Sequence, residues 1–313
     1  MNAPGTVPLI ASEEVRKNFR NSVILILIVV ALIFGVSWLI GDLLDDVKTG
    51  LVIGAVVVAI VLPIQILTAK WAILGMTRGR AADPEDLRER RALHITEGLA
   101  VSAGLSRVPS LYIIPTSVPN AFASGMSEKD AFIGVTEGLL ERMDDQELEG
   151  VIAHEFGHII HRDIMLDQLV VALISALLIL AFILERVGLA SLLGGGKRRN
   201  SRDSGGGAFV LVIILLALLV RPLAALLGSL LQMAISRERE YAADAAAVRL
   251  CSYNEGLARA LEKLGGKKNY SREEADSLGG RNLSAMYIDF PGEGLFSTHP
   301  PIAKRVERLR SMY

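Results

Sequence analysis

The chain has a single cysteine, Cys251, in 313 residues. That excludes an internal disulfide framework and any cysteine-built zinc cluster. An excess of one charge is lacking too. Lys+Arg number 33 against 34 Asp+Glu, a formal net charge of −1, which leaves no general electrostatic case for nucleic-acid binding. Neither a phosphate-cradling GxxxxGK[ST] loop nor a glycine-rich dinucleotide fingerprint occurs, so nothing points to a nucleotide enzyme. Apolar residues are abundant instead, at 51% of the chain against 21% charged, with a mean hydropathy of +0.41. That composition excludes a disordered chain and implies membrane segments.

Residues 22–40 and 50–68 carry no charge. Each is close to the ~20 residues that a helix needs to cross ~30 Å of hydrocarbon. The stretches 165–184 and 208–227 hold one charge each, Asp167 and Arg221. Arg16, Lys17 and Arg20 precede the first run, the turn after it is acidic, and Lys70, Arg78 and Arg80 follow the second. Basic flanks face the cytoplasm, so both ends of the first hairpin are expected there. The loop 185–207 is rich in Gly and Arg and dissents from that rule, so 165–235 either crosses fully or forms a shallow hairpin. The expected division is a cytoplasmic segment 1–21, a transmembrane hairpin 22–68, a first catalytic part 69–164, a second membrane hairpin 165–235, and a second catalytic part 236–313.

Residues 154–158 read HEFGH. On a helix, His154 and His158 share one face and both can reach one ion, while Glu155 lies where it can take a proton from an attacking water. His161 is too far along the axis to join the same ion and reads as structural or interfacial, as does His94. A catalytic metal site wants a third protein ligand and an open position. In SREREYAADAAA, residues 236–247, Glu240 can ligate and Asp244 can accept the spare imidazole N–H of a ligand histidine. On spacing alone, a solvated Ala-rich helix with alternating charges is an equal reading of that stretch. His158 and Glu240 can share an ion only if the two apolar stretches between them both cross the membrane or both do not.

The order HEFGH, apolar hairpin, SREREYAAD resembles the HtpX-type membrane zinc metallopeptidases, gluzincins that share an HExxH…ExxxD pattern with the type I CaaX prenyl endoproteases. PNAFASG (119–125), the strand-like AFIGVTEGLL (131–140), ELEGVIAHEFGHIIHRD (147–163) and FSTHPP (296–301) resemble that family in order and spacing. The resemblance implies a mainly α membrane protein of about four transmembrane helices. It carries a soluble α+β gluzincin-type domain with a small β-sheet, one Zn2+ per subunit, and an active site facing the cytoplasm from the cell membrane. It assigns His154, His158 and Glu240 to zinc and Glu155 to the base. Asn120 and Ala121 would lie near a substrate strand added at a sheet edge, against a plain turn-forming role for Asn120 after Pro119. His299 would donate to the oxyanion, against loop packing before the terminal helix.

The activity implied is endoproteolysis of misfolded or damaged membrane proteins or unfolded polypeptides, in stress response. The bilayer and a membrane protease or quality-control protein are the expected partners, and no nucleic acid is. Two other readings are a CaaX-type processing protease, which has about seven spans against four here, and a zinc-stabilised scaffold without turnover, which would have no use for Glu155.

Overall fold

The computed structural model describes residues 46–165, 239–265 and 300–312 continuously, residues 20–42 and 168–186 in part, and two positions between. His299 lies outside the described residues, as does most of the expected membrane hairpin 165–235 beyond Arg186, including residues 187–207 of its Gly/Arg-rich loop. The chain divides into two compact units: residues 1–21, 68–168 and 232–313 in one, and residues 22–67 and 169–231 in the other.

In the second unit, α1 (Val30–Leu39) and α2 (Val47–Val56) approach closely because small residues line their contact. A Cβ on Gly50 would lie 2.3 Å from the Ser37 carbonyl oxygen, and one on Gly54 would lie 2.7 Å from the Ser37 hydroxyl. Backbones come this close only where side chains are minimal. Asp46 caps α2, accepting from the Thr49 N–H and hydroxyl at 3.1 and 2.6 Å. A π-helical segment, Val57–Val61, leads into α3 (Leu62–Thr77). Among the described residues no single helix is long and apolar enough to cross a membrane. One bent pair, Val47–Ile60 with Pro63–Thr77 at 48°, meets the length and composition together.

The first unit is built on a four-stranded sheet in the order β1 (Arg80–Ala81), β2 (Ser110–Ile114), β4 (Phe132–Thr136), β3 (Ala121–Ser124). β2 and β4 run parallel, and β1 and β3 are antiparallel to their neighbours. The period-two alternation of a strand sorts the side chains. Leu111, Ile113, Ala121, Ile133 and Val135 enter the main core. Ile114, Phe122 and Phe132 turn to the opposite face, where Ile73 and Leu74 of α3 cover them. A Cβ at Gly134 would sit 2.3 Å from the Phe122 ring, so only glycine lets that ring lie across β4.

The sequence reads 131–140 as one strand-like run, but the structure ends the strand at Thr136. The Thr136 hydroxyl accepts from the Leu139 N–H at 3.2 Å and caps α5 (Glu137–Arg142), as threonine does at a helix start. α4 (Leu87–Ser102), capped by Asp86, and α6 (Asp145–His161) pack on the main-core face. The helix over 239–251 (α7), α8 (Glu255–Leu264) and α9 (Ile302–Arg310) complete that layer through Ala247, Val248, Leu257, Leu261, Val306 and Leu309.

Candidate metal centre

The start and end of α6 are both locally specified. Asp144 and Glu147 form a reciprocal cap, each side chain accepting the other's backbone N–H at 2.9 Å, which satisfies two otherwise orphaned donors. Glu147 is buried and also receives Lys263 at 2.5 Å, tying the helix start to α8. At the far end Arg162 takes a left-handed φ of 59°, and the reversal brings Asp163 back against the last turn.

The histidines at the middle of α6 point at α7. His154 Nε2 lies 3.3 Å from His158 Nε2, and these nitrogens lie 3.5 Å from Glu240 Oε2 and Oε1 respectively. A tetrahedral ion with bonds of ~2.1 Å holds its ligand atoms about 3.4 Å apart, so the spacing fits a zinc-like cation. The outer partners support the fit. His154 Nδ1 is 3.0 Å from Asp244 Oδ1, and His158 Nδ1 is 3.0 Å from Asp163 Oδ2. Each carboxylate holds a proton on Nδ1 and leaves the Nε2 lone pair directed inward. Two lone pairs and a carboxylate converging on one point repel each other unless a cation sits among them.

In the metal-free chain a proton takes that part. Burial and the Arg305 charge oppose protonation of His154, but the hydrogen bonds of Asp244 and Glu240 prevail and raise its pKa to about 9. His158 also shifts upward: burial opposes it, and Asp163 and Glu240 override that.

Close packing lets α7 approach. A Cβ on Gly157 would meet the Ala243 Cα at 2.8 Å, and Ala243 and Ala247 are themselves buried against α6. Glu155, also buried, faces the sheet, where the Ala123 backbone N–H of edge strand β3 donates to its carboxylate. Burial is the main reason its pKa is raised, with the histidines opposing, and a carboxylate tuned upward is a better base near neutral pH.

The structure thus brings together His154, His158 and Glu240, with Asp244 on the outer side of His154 and Glu155 beside them. Asn120 and Ala121 stand at the start of β3, both fully buried. Asn120 Oδ1 accepts the Ala121 N–H at 3.0 Å, and the Asn120 N–H donates to the Thr136 hydroxyl at 2.8 Å. His161 is buried on the same helix and is not one of the three converging groups.

Two further residues at the centre, Asp163 and Arg305, carry little signal in the sequence. Asp163 is signalled only by an acid shortly after a helix end. Arg305 is 0% exposed. It donates from Nε and Nη2 to the two oxygens of Asp244 at 3.0 and 2.7 Å and places Nη1 3.1 Å from Glu240 Oε2. The available signal was its place in the stripe Ile302, Arg305, Val306, Leu309, the side of α9 that meets the core.

Converging imidazoles and a carboxylate, with a second, buried carboxyl alongside, are the equipment of a hydrolase that uses a divalent ion. Comparison with known proteins agrees with that class and narrows it. The pattern of Peptidase family M48 matches residues 86–313, and the chain belongs to that family. Among its relatives, a "Protease HtpX homolog" from Streptococcus uberis is 37% identical over 306 residues, covering 96% of this chain and 99% of the relative. A protein of the same description from Listeria monocytogenes serotype 4b is 36% identical over 309 residues, with the same coverage. Among solved structures, the crystal structure of S. mikatae Ste24p aligns with a TM-score of 0.47 at 18% identity, over 95% of this chain and 66% of that one.

Proposed function

We propose that this chain is a membrane-bound, zinc-dependent endopeptidase whose site faces the cytoplasm and whose substrates are unfolded or damaged membrane proteins. The observation that carries this reading is the convergence of His154 Nε2, His158 Nε2 and the Glu240 carboxylate at 3.3–3.5 Å, beside a buried base. His154, His158 and Glu240 would hold one zinc ion, which when bound supplies Lewis-acid polarisation of the scissile carbonyl and acidifies the attacking water.

The remaining chemistry belongs to the chain. Glu155 accepts the proton of the attacking water and delivers it to the leaving nitrogen, and its burial favours both halves of that relay. β3 is an edge strand, and an extended substrate added beside it near Asn120 and Ala121 would gain main-chain hydrogen bonds. His299 is proposed as the oxyanion donor from the segment before α9. The membrane setting rests on the uncharged runs 22–40 and 50–68, and it makes proteins of the same bilayer the nearest substrates. A membrane protease or quality-control protein is a natural partner in that setting.

The test is cleavage of an unfolded model polypeptide by detergent-purified protein, wild type beside Glu155→Gln, with bound zinc quantified in both. The wild type should cut, and the variant should keep its zinc and lose cleavage. Equal cleavage by both would remove Glu155 as the base, and zinc retention without cleavage in either would favour a scaffold.

A further inference from the structure

We infer that the exposed face of α3 around Trp71 and Met76 is seated in the bilayer–water boundary, which holds the peptidase sheet directly against the membrane surface. The inference rests on the membrane reading above and adds a contact to it. The uncharged run ends at Thr68, yet α3 continues to Thr77 with Lys70 as its only charge. Two opposite sides of this continuation are apolar. Ile73 and Leu74 are buried against Ile114, Phe122 and Phe132 of the sheet. On the other side Leu67 is 77% exposed, Trp71 69% and Met76 46%. A helix that docks on a water-soluble domain turns a polar face outward, and this one does not.

The one charge on the continuation lies at the edge of that outer face, with Lys70 Nζ 6.0 Å from the Trp71 ring, and leans toward the sheet. Lys70 Nζ lies 4.9 Å from the Tyr112 ring and 5.4 Å from the Phe132 ring, over aromatic faces of the sheet where a cation is favoured. The helix then stops. The Thr77 hydroxyl donates back to the Ile73 carbonyl at 2.9 Å, Arg78 reverses the chain at φ 55°, and exposed Arg78 and Arg80 follow. Apolar run, tryptophan, then bases is the order in which a helix leaves a bilayer on its cytoplasmic side. Lipid is therefore the occupant that fits, because the exposed face lies on the helix α3 in which the uncharged run ends. α3 covers one face of the sheet and α6 the other. At roughly 10 Å per packed layer, the candidate centre stands within a few layers of the lipid, and peptide bonds close to the membrane surface are the ones it would reach.

Trp38 and Trp71 are the only tryptophans, which makes the contact directly readable. The full chain carrying Trp38→Phe would be reconstituted into phosphatidylcholine–phosphatidylglycerol vesicles brominated either high on the acyl chain or near its methyl end. The difference spectrum of wild type and Trp71→Phe provides the same Trp71 signal without relying on the first variant's folding. Trp71 should emit at shorter wavelength than in water, and be quenched roughly twofold more by high than by deep bromine, as for an interfacial tryptophan. Water-like, unquenched emission from protein that floats with the vesicles overturns the inference while leaving the membrane reading intact. Blue-shifted emission that neither lipid quenches also overturns it and assigns the face to a second protein surface. Failure to float with vesicles at all would instead defeat the membrane reading itself.

Discussion

Arg305 grips Asp244 with two parallel hydrogen bonds, Nε to Oδ2 at 3.0 Å and Nη2 to Oδ1 at 2.7 Å, in a place with no solvent. Asp244 in turn orients His154, so the C-terminal helix α9 reaches the metal side of the molecule through two side chains. Burial penalises the Asp244 charge, but Arg305 and the His154 hydrogen bond overcome it and hold its pKa below the usual carboxylate range. Glu240 lies beside the same guanidinium. One fixed cation therefore holds Asp244 ionised and faces the Glu240 carboxylate as well. α9 is itself fastened from outside: Arg310 pairs with Glu255 and Glu262 at 2.7 and 2.8 Å, and Asn254 donates to the Leu309 carbonyl at 2.9 Å.

Arg305→Ala is expected to lower stability by about 3–5 kcal/mol, because it leaves a buried carboxylate without its partner. Arg305→Lys restores the charge but not the planar two-point grip, so it should recover part of the stability and little of the zinc affinity. Thermal unfolding and zinc titration of both variants in detergent check this. A lysine variant with wild-type zinc affinity would show that charge alone matters.

Gly157→Ala separates packing from ligand chemistry. The added methyl would press on the Ala243 Cα at 2.8 Å and its carbonyl oxygen at 3.0 Å, and backbone cannot swing aside. α6 and α7 must move apart, and with them the two histidines from Glu240. Overpacking of this kind costs about 1–3 kcal/mol, and zinc affinity should fall although every ligand remains. Gly98→Ala on α4 is the control. Its Cβ meets nothing within 4 Å, and the change should be neutral or raise stability by about 0.4–1 kcal/mol. Equal behaviour of the two variants in melting temperature and zinc content would sink the argument.

The placing of His154, Glu155 and His158 together is legible in the sequence because it depends on spacing within one helix, and helical geometry is local. The run 131–140 misleads because its apolar residues continue from strand into helix, and only the Thr136 cap decides where one ends. Arg305 is illegible for a different reason. Lys304, Arg305, Arg308 and Arg310 look alike along IAKRVERLR, and which one enters the core is settled by how α9 docks, a contact far away in sequence. The close approach of α1 and α2 at Gly50 and Gly54 is likewise a property of two elements together.

The two outer carboxylates should differ in what their loss does. Asp163→Asn and Asp244→Asn each remove the charge that holds a ring proton on Nδ1, and losses of such outer partners cost ~10–100-fold in metal affinity. Asp244→Asn also removes one of the two buried carboxylates that face Arg305, so it should lower the melting temperature more than Asp163→Asn at similar zinc loss. Paired zinc titrations and melting curves test the order. A larger thermal penalty for Asp163→Asn would contradict the role assigned to Arg305.

At the proposed zinc site, protons and the ion would compete for the same lone pair on His154, which gives a pH dependence with a definite sign. In the metal-free chain the His154 pKa is about 9, against an ordinary 6.5. A group whose folded value lies above its unfolded one stabilises the fold fully below pH 6.5 and loses that contribution as pH rises through about 9. Chelator-treated protein should therefore become less stable across that window. Zinc must displace the proton, so its affinity should rise across the same interval by up to about tenfold per pH unit and level off above it. In the loaded protein the imidazole is held neutral by the ion, so the alkaline loss of stability should largely vanish. Melting curves with and without chelator, taken beside zinc titrations from pH 6.5 to 9, separate these cases. A zinc affinity that stays flat over the interval would mean that no proton occupies the His154 nitrogen before the metal arrives.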